Sequence, residues 1–260
     1  MKENIKITIV QSDIIWENKT ANLIKYDNVL SKITEETDLI VLPEMFSTGF
    51  LMNPEKFSEN TEGEAFTWLK NKSVEKNCVI TGSIITKDNN KYYNRLIWFE
   101  PNGNSDFYDK RHLFSFAGED KHYTSGNKLL IKEIKSWKIR PLICYDLRFP
   151  VWSRNRNNYD ILIYIANWPE RRKDAWSTLL KARAIENQCF VVGVNRIGID
   201  GSGINHSGDS VVLDYFGKEL SSIKPFEESY QTIEISYKEL YDFRQKFNTY
   251  QDSDNFEIKL

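Results

Sequence analysis

The sequence predicts an α/β fold built on a mixed sheet, or on two sheets packed together with helices outside. Three observations carry this. Strand-like apolar runs alternate with amphipathic stretches almost from end to end. The strand-like runs outnumber the helical ones. Several neighbouring strands are separated only by short turns, whereas a purely parallel sheet needs a crossover between each pair.

Taken in order, residues 5–10 read as a buried strand, and 22–33 carry Leu23, Val29, Leu30 and Ile33 at roughly helical intervals. A strand over 39–42 leads to Glu44. Thr61-Glu62-Gly63-Glu64 has the spacing of a capping box opening a helix through Phe66 and Leu69, with Gly63 a poor helix former inside it. Residues 78–86 and 92–100 are β-rich and flank Lys87-Asp88-Asn89-Asn90-Lys91, a hairpin turn. Pro101-Asn102-Gly103 makes another turn before the strand that reaches Lys110. Strands follow over 129–134, 139–144 and 161–166, with a helix after Pro150. The clearest helix spans 174–188. Strands over 190–194 and 211–213 flank a Gly-rich loop at 198–208, and a strand over 232–235 precedes an amphipathic stretch at 238–247. With no repeat, low-complexity tract or linker, the expectation is one domain over 1–260, its core over about 4–240, followed by a C-terminal helix and tail. The polar tail over 250–260 is either disordered or crosses to a partner subunit.

The totals narrow the function classes. A chain of 260 residues with 40% apolar and 13% aromatic content can bury a substantial core. A formal charge of −2 supplies no field for nucleic acid or a membrane surface. No apolar stretch is long enough to span a bilayer, and the Met-Lys-Glu-Asn start lacks the features of a signal peptide. Cys78, Cys144 and Cys189, odd in number, suggest neither a disulfide framework nor a metal site, so a cytoplasmic home is expected.

Three residues at strand ends carry the chemistry. Cys144 closes Pro141-Leu142-Ile143 and meets the polar corner Tyr145-Asp146-Leu147-Arg148-Phe149-Pro150. A thiol there lies at the mouth of a sheet, where α/β folds commonly place their sites. Its bland reading is a small buried hydrophobe, which suits Cys78 and Cys189 better. Glu44 follows Val41-Leu42-Pro43 and precedes Met45-Phe46; it is either an exposed loop acid or a partly dry carboxylate able to accept a proton. Lys110 lies in Asp109-Lys110-Arg111-His112, which by composition alone is a solvated charge cluster; the functional reading has it counter Glu44 and bind an oxyanion. His112, His122 and His206 show no metal-ligand spacing.

Together, Leu42-Pro43-Glu44-Met45-Phe46, the segment from Asp109 to Phe114 and the segment from Ile143 to Pro150 resemble the carbon–nitrogen hydrolase (nitrilase) superfamily, whose members carry a Glu-Lys-Cys triad in this order. Ala166-Asn167-Trp168-Pro169, the segment from Lys181 to Asn187 and Val194-Asn195-Arg196 resemble its supporting motifs, so the similarity covers the chain to about residue 240. The resemblance implies a four-layer αββα sandwich, a homodimer or larger homo-oligomer, and no metal or organic cofactor. Phe46-Ser47-Thr48-Gly49-Phe50 and the segment from Arg111 to Glu119 look most like the ω-amidase branch, which implies a small-molecule amide substrate of the 2-oxoglutaramate or 2-oxosuccinamate type. It further implies Glu44, Lys110 and Cys144 as catalytic residues, Lys110 and the Tyr145 backbone N–H as oxyanion donors, and a second glutamate for which Glu119 matches better than Asp120. Arg148 matches the carboxylate-binding position, against a structural ion pair with Asp146 or another corner acid. Trp168 either lines the same pocket or packs in the core. Hydrolysis of an N-carbamoyl amino acid or nitrile by the same triad is the alternative chemistry; a catalytically silent assembly protein is the alternative class.

Overall fold

The structure, a computed structural model, describes residues 3–259. In chain order its first half contains β1 (Ile5–Gln11), α1 (Lys19–Ser31), β2 (Leu39–Val41), α2 (Pro54–Phe57), α3 (Glu64–Lys76), β3 (Val79–Asp88), β4 (Lys91–Phe99) and β5 (Ser105–Asp109). The second contains β6 (Lys132–Ile134), β7 (Trp137–Ile143), α4 (Pro150–Ser153), β8 (Ile161–Ala166), α5 (Lys173–Glu186), β9 (Phe190–Asn195), β10 (Ile197–Ile199), β11 (Asn205–Ser207), β12 (Val211–Leu213), β13 (Ser229–Ile235) and α6 (Tyr237–Lys246).

Two mixed sheets result. One runs β13-β1-β2-β3-β4-β5 and the other β12-β9-β8-β7-β6; β10 and β11 form a separate hairpin. In the first, β1, β2 and β3 are parallel, and antiparallel strands extend both edges. In the second, parallel β7, β8 and β9 lie between antiparallel β6 and β12.

The period of two along each strand decides the layers. Ile5, Ile7 and Ile9, Leu39 and Val41, and Leu96 and Trp98 share one core with Ile139, Ile143, Ile163 and Val192 of the second sheet. Their neighbours Val10, Ile40, Leu42, Ile97 and Phe99 point the other way, onto Leu23, Tyr26 and Leu30 of α1 and Ala65 and Leu69 of α3. On the far side, Trp176 and Leu180 of α5 press so closely on Gly193 of β9 that a Cβ there would lie 2.6 Å from Leu180 Cδ1. The order is helices, sheet, sheet, helix: the αββα sandwich.

Several boundaries shift for physical reasons. The β3–β4 turn contracts to Asn89-Asn90, both left-handed at φ 47° and 61°, the two-residue type I′ geometry that matches strand twist. The expected capping box does not form. Gly63 occupies the cap of α3 with no side-chain bond, and the buried Glu59 carboxylate accepts from the Ala65 and Phe66 N–H groups at 2.9 and 3.2 Å. A Cβ on Gly63 would meet Glu59 Oε2 at 2.4 Å, so this approach requires the glycine. The Gly-rich stretch expected as a loop folds into the β10–β11 hairpin. The tail lies against its own chain: Tyr250 donates to the Asn187 carbonyl at 2.6 Å, and Ile258 packs on the main core. Among the described residues no helix is long and apolar enough to cross a membrane.

Candidate active site

The carboxyl ends of β2 and β7, from opposite sheets, bring Glu44 and Cys144 together. After β2, Pro43 offers no N–H, and the chain turns through Met45 at φ 43°, its N–H held by Ser83 Oγ at 2.8 Å. Glu44 is thereby driven inward and fully buried, which removes the exposed-loop reading. Its Oε1 accepts from Lys110 Nζ at 2.9 Å and Asn94 Nδ2 at 2.7 Å; its Oε2 accepts from the Asn167 N–H at 2.8 Å.

Lys110 is not part of a solvated cluster. Just beyond β5, its N–H donates to the Asn94 carbonyl at 3.0 Å, and its own carbonyl accepts from Gly126 N–H at 2.9 Å. A Cβ on Gly126 would meet the Asp109 carbonyl oxygen at 2.1 Å, so this tight cover over the lysine needs glycine. The buried ammonium also donates to Glu119 at 3.0 and 3.1 Å. Burial alone would lower its pKa, but Glu119 and Glu44 outweigh that and hold it above its ordinary range. Between the two candidate acids after the lysine, Glu119 is fully buried and Asp120 exposed. Burial raises the pKa of Glu119; Lys110 opposes this, while Glu44 adds to it.

Cys144 begins a 3-10 turn over Cys144–Arg148 and sits at φ 44°, a left-handed angle that costs a residue with a Cβ on the order of 1 kcal/mol or more. Asp146 pins this elbow. Its carboxylate accepts from the Ile143 N–H at 3.0 Å, the Tyr108 hydroxyl at 2.7 Å and the His112 N–H at 3.0 Å. Burial, then the Glu44 carboxylate beside it, pushes the Cys144 thiol well above its usual range, so at neutral pH the sulfur carries its proton. Tyr145 occupies the first turn, where backbone N–H groups lack intrahelical acceptors.

Glu44, Lys110, Cys144, Tyr145, Arg148 and Trp168 all line one cleft of about 250 Å³. Asp146 is fully engaged elsewhere, and among the described residues Arg148 has no ion pair. Instead its guanidinium lies over the Trp168 ring, 4.9 Å from the centroid. Trp168 lines the cleft and also packs on Trp176 at 5.5 Å between ring centroids.

Four further residues escaped the reading of the sequence. Asn94 bridges Glu44 and Glu119, at 2.7 and 3.4 Å, from the inward face of β4. An asparagine inside a strand of aromatic and aliphatic residues was the available signal, because strands disfavour it. Arg171 and Arg172 join Arg148 around the cleft, with Arg172 over the Phe114 ring at 5.1 Å; no residue pattern marked them. His206, within the stretch expected as a Gly-rich loop, is instead buried on β11 and lines the cleft. Burial, then the nearby Arg196 charge, pushes its pKa down to about 4.

The chain matches the carbon–nitrogen hydrolase family over residues 6–245. It is 43% identical to the omega-amidase YafV of Escherichia coli (strain K12), covering 98% of both chains. It is 32% identical to the 2-oxoglutaramate amidase of Bacillus subtilis (strain 168), over 95% of this chain and 96% of that one. Among solved structures, XC1258 from Xanthomonas campestris, a CN-hydrolase superfamily protein with an arsenic adduct in its active site, superposes with a TM-score of 0.96. It shares 38% identity and is covered over its whole length, with 99% of this chain. Residue motifs, layer order and full-length similarity agree: this chain belongs to the carbon–nitrogen hydrolase family.

Proposed function

We propose that the protein is an ω-amidase that hydrolyses the terminal carboxamide of 2-oxo acid amides, of the 2-oxoglutaramate and 2-oxosuccinamate type, to the 2-oxo dicarboxylate and ammonia through a cysteine thioester. The observation that carries this reading is the convergence of Cys144, Glu44 and Lys110 on a cleft rimmed by Arg148, Arg171 and Arg172.

The protonated resting thiol sets the first step. Attack needs a base, and Glu44 lies beside the sulfur with its own position fixed by three donors. As sulfur bonds to the carboxamide carbon, its proton passes to Glu44 and the carbonyl electron pair moves onto oxygen. Lys110 Nζ and the Tyr145 N–H receive that oxyanion, each donor contributing about 3 kcal/mol if well aimed. Glu119, which accepts from the same ammonium through both carboxylate oxygens, helps hold it in place. Collapse expels ammonia, which takes the proton from Glu44 and leaves the thioester. Glu44 then draws a proton from water, hydroxide adds to the thioester carbon, and the acid departs as Cys144 regains its proton. Asn167 grips the Glu44 carbonyl through Nδ2 at 2.6 Å and leaves a buried Oδ1 with no protein donor, suited to an amide N–H.

The arginines support the substrate class. A 2-oxo acid amide carries one carboxylate beyond the reacting group, and guanidinium binds it in bidentate fashion. The reading places the enzyme in the cytoplasm, consistent with three unpaired cysteines.

The test is ammonia release from 2-oxoglutaramate, glutamine, an N-carbamoyl amino acid and a simple nitrile, with Cys144→Ala alongside. Preference for 2-oxoglutaramate, abolished in the variant, is expected. Preference for another member would keep the nucleophile and discard the substrate, and silence across the panel would favour a non-catalytic role.

A further inference from the structure

A second cavity, of about 440 Å³, lies between the segment around α4 and the C-terminal tail, away from the cleft that holds Cys144. Arg140, Arg154 and Arg156 line it, and Glu257 is the one carboxylate among its lining residues. Arg140 is the unusual member. It is only 3% exposed, yet among the described residues no carboxylate pairs with it. Its guanidinium donates to the Arg154 carbonyl at 3.3 Å and lies over the Tyr159 ring at 4.6 Å, while its Nε is buried with no acceptor. Buried cations are ordinarily paired, because an unpaired one forfeits its hydration with nothing in return. Among the described residues, the side-chain hydrogen bonds of Arg154 and Arg156 go to the carbonyls of Glu186 and Phe256. Asn158, on the same wall, has a buried side-chain oxygen without a donor.

We infer that this cavity is an anion-binding site, distinct from the catalytic cleft, for a phosphate monoester with an apolar body. Three arginines and one carboxylate line the cavity and leave two net positive charges, and a phosphate monoester near neutral pH carries between about one and a half and two negative ones. Val151, Trp152 and Phe256 give the cavity an apolar wall broad enough for a ring or short chain beside the head group.

The probe is phenyl phosphate, titrated calorimetrically into the full chain at moderate salt, with phenylacetate and benzyl alcohol as carboxylate and neutral counterparts. Phenyl phosphate is expected to bind at least tenfold tighter than phenylacetate, with no heat from benzyl alcohol. Arg156→Ala, at an exposed position, and Arg140→Met should each weaken binding tenfold or more. Arg148→Ala, in the catalytic cleft, should leave the titration unchanged. Absence of phenyl phosphate binding at millimolar concentration would overturn the inference. So would binding that survives Arg156→Ala but is lost in Arg148→Ala, or equal binding of benzyl alcohol.

Discussion

Replacing Lys110 with methionine is the most demanding test of the buried charge cluster. Its Nζ lies 2.9 Å from a Glu44 oxygen and 3.0 Å from a Glu119 oxygen, and both carboxylates are fully buried. At an effective dielectric of about 20, each contact corresponds to roughly 5 kcal/mol of attraction, much of it offset by several kcal/mol of desolvation for each ion. Removing the cation leaves two carboxylates facing one another across Asn94, and breaking such a pair typically costs about 3–5 kcal/mol. The molecule can relieve part of this by protonating one carboxylate, whose folded-state pKa then lies above its unfolded value. A raised carboxylate pKa stabilises the fold at low pH, and that stability is lost as pH rises through the folded pKa. The deficit of Lys110→Met should therefore be largest at pH 8 and shrink by up to about 1.4 kcal/mol per pH unit on acidification. Adding Glu119→Gln should recover a substantial part at pH 8, since it removes one of the repelling charges. Urea unfolding of wild type, single and double variants at pH 5, 6, 7 and 8 measures all of this. A deficit under about 1 kcal/mol at pH 8, or one that does not change with pH, would falsify the picture of a lysine bridging two buried acids.

Other expectations follow from the same geometry. Arg148→Ala and Arg172→Ala should each raise KM for charged 2-oxo acid amides tenfold or more while sparing uncharged amides; equal effects on both substrates would mean that the arginines only support the cleft wall. His206, whose pKa falls from 6.5 to about 4 on folding, refuses a proton that the unfolded chain accepts below pH 6.5. Stability should drop by up to about 3 kcal/mol between those pH values, and His206→Gln should flatten that limb in acid unfolding curves. Glu59→Gln should cost about 1–2 kcal/mol, because the carboxylate caps α3 and pairs with Lys19, and a change below about 0.3 kcal/mol in urea unfolding would show the cap to be idle. Cys144→Ser should keep the fold and lose nearly all turnover; an active variant would remove Cys144 as nucleophile.

Much of the fold was legible because strands buried on both faces appear as short continuous apolar runs. The runs around Ile7, Ile40, Ile163 and Val192 were each placed within a residue or two. What pairs with what was not legible. Nothing local says that β1 neighbours β13, more than two hundred residues later, or which of the two faces of β1 meets the second sheet. The α3 cap was misread because Glu59 reaches it from outside the helix, where a capping-box pattern does not look. At the site, Glu44, Lys110 and Cys144 stood out as polar groups at strand ends. Asn94 did not, since its role depends on being opposite Glu44 and Glu119 after folding. Arg172 and His206 were invisible for a related reason: one follows Trp168 on a short turn and the other hides in a hairpin that composition marks as a loop. Local chemistry betrays residues at element boundaries, whereas positioning residues inside elements declare themselves only through their neighbours.

Under the proposed mechanism, the arrangement also explains why a buried, protonated thiol is compatible with attack on an amide. Before reaction the cluster holds the charges of Lys110, Glu44 and Glu119, with Cys144 neutral. In the tetrahedral state of the proposed mechanism, Glu44 holds the sulfur's proton and is neutral, and the negative charge sits on an oxygen beside Lys110 and the Tyr145 N–H. Whichever protonation state Glu119 holds, the total charge inside the protein is the same before and after. Attack therefore shifts a charge by a few ångströms between partners already in position, instead of creating one in a dry site, and the desolvation penalty is met during folding. A preformed thiolate would add a further negative charge beside Glu44, which is the energetic reason that burial and Glu44 keep the proton on sulfur until substrate arrives. It follows that Glu44→Gln should abolish acylation even at pH 9: the amide keeps the shape and some of the hydrogen bonds of Glu44, but it cannot accept the proton that makes the charge shift neutral overall.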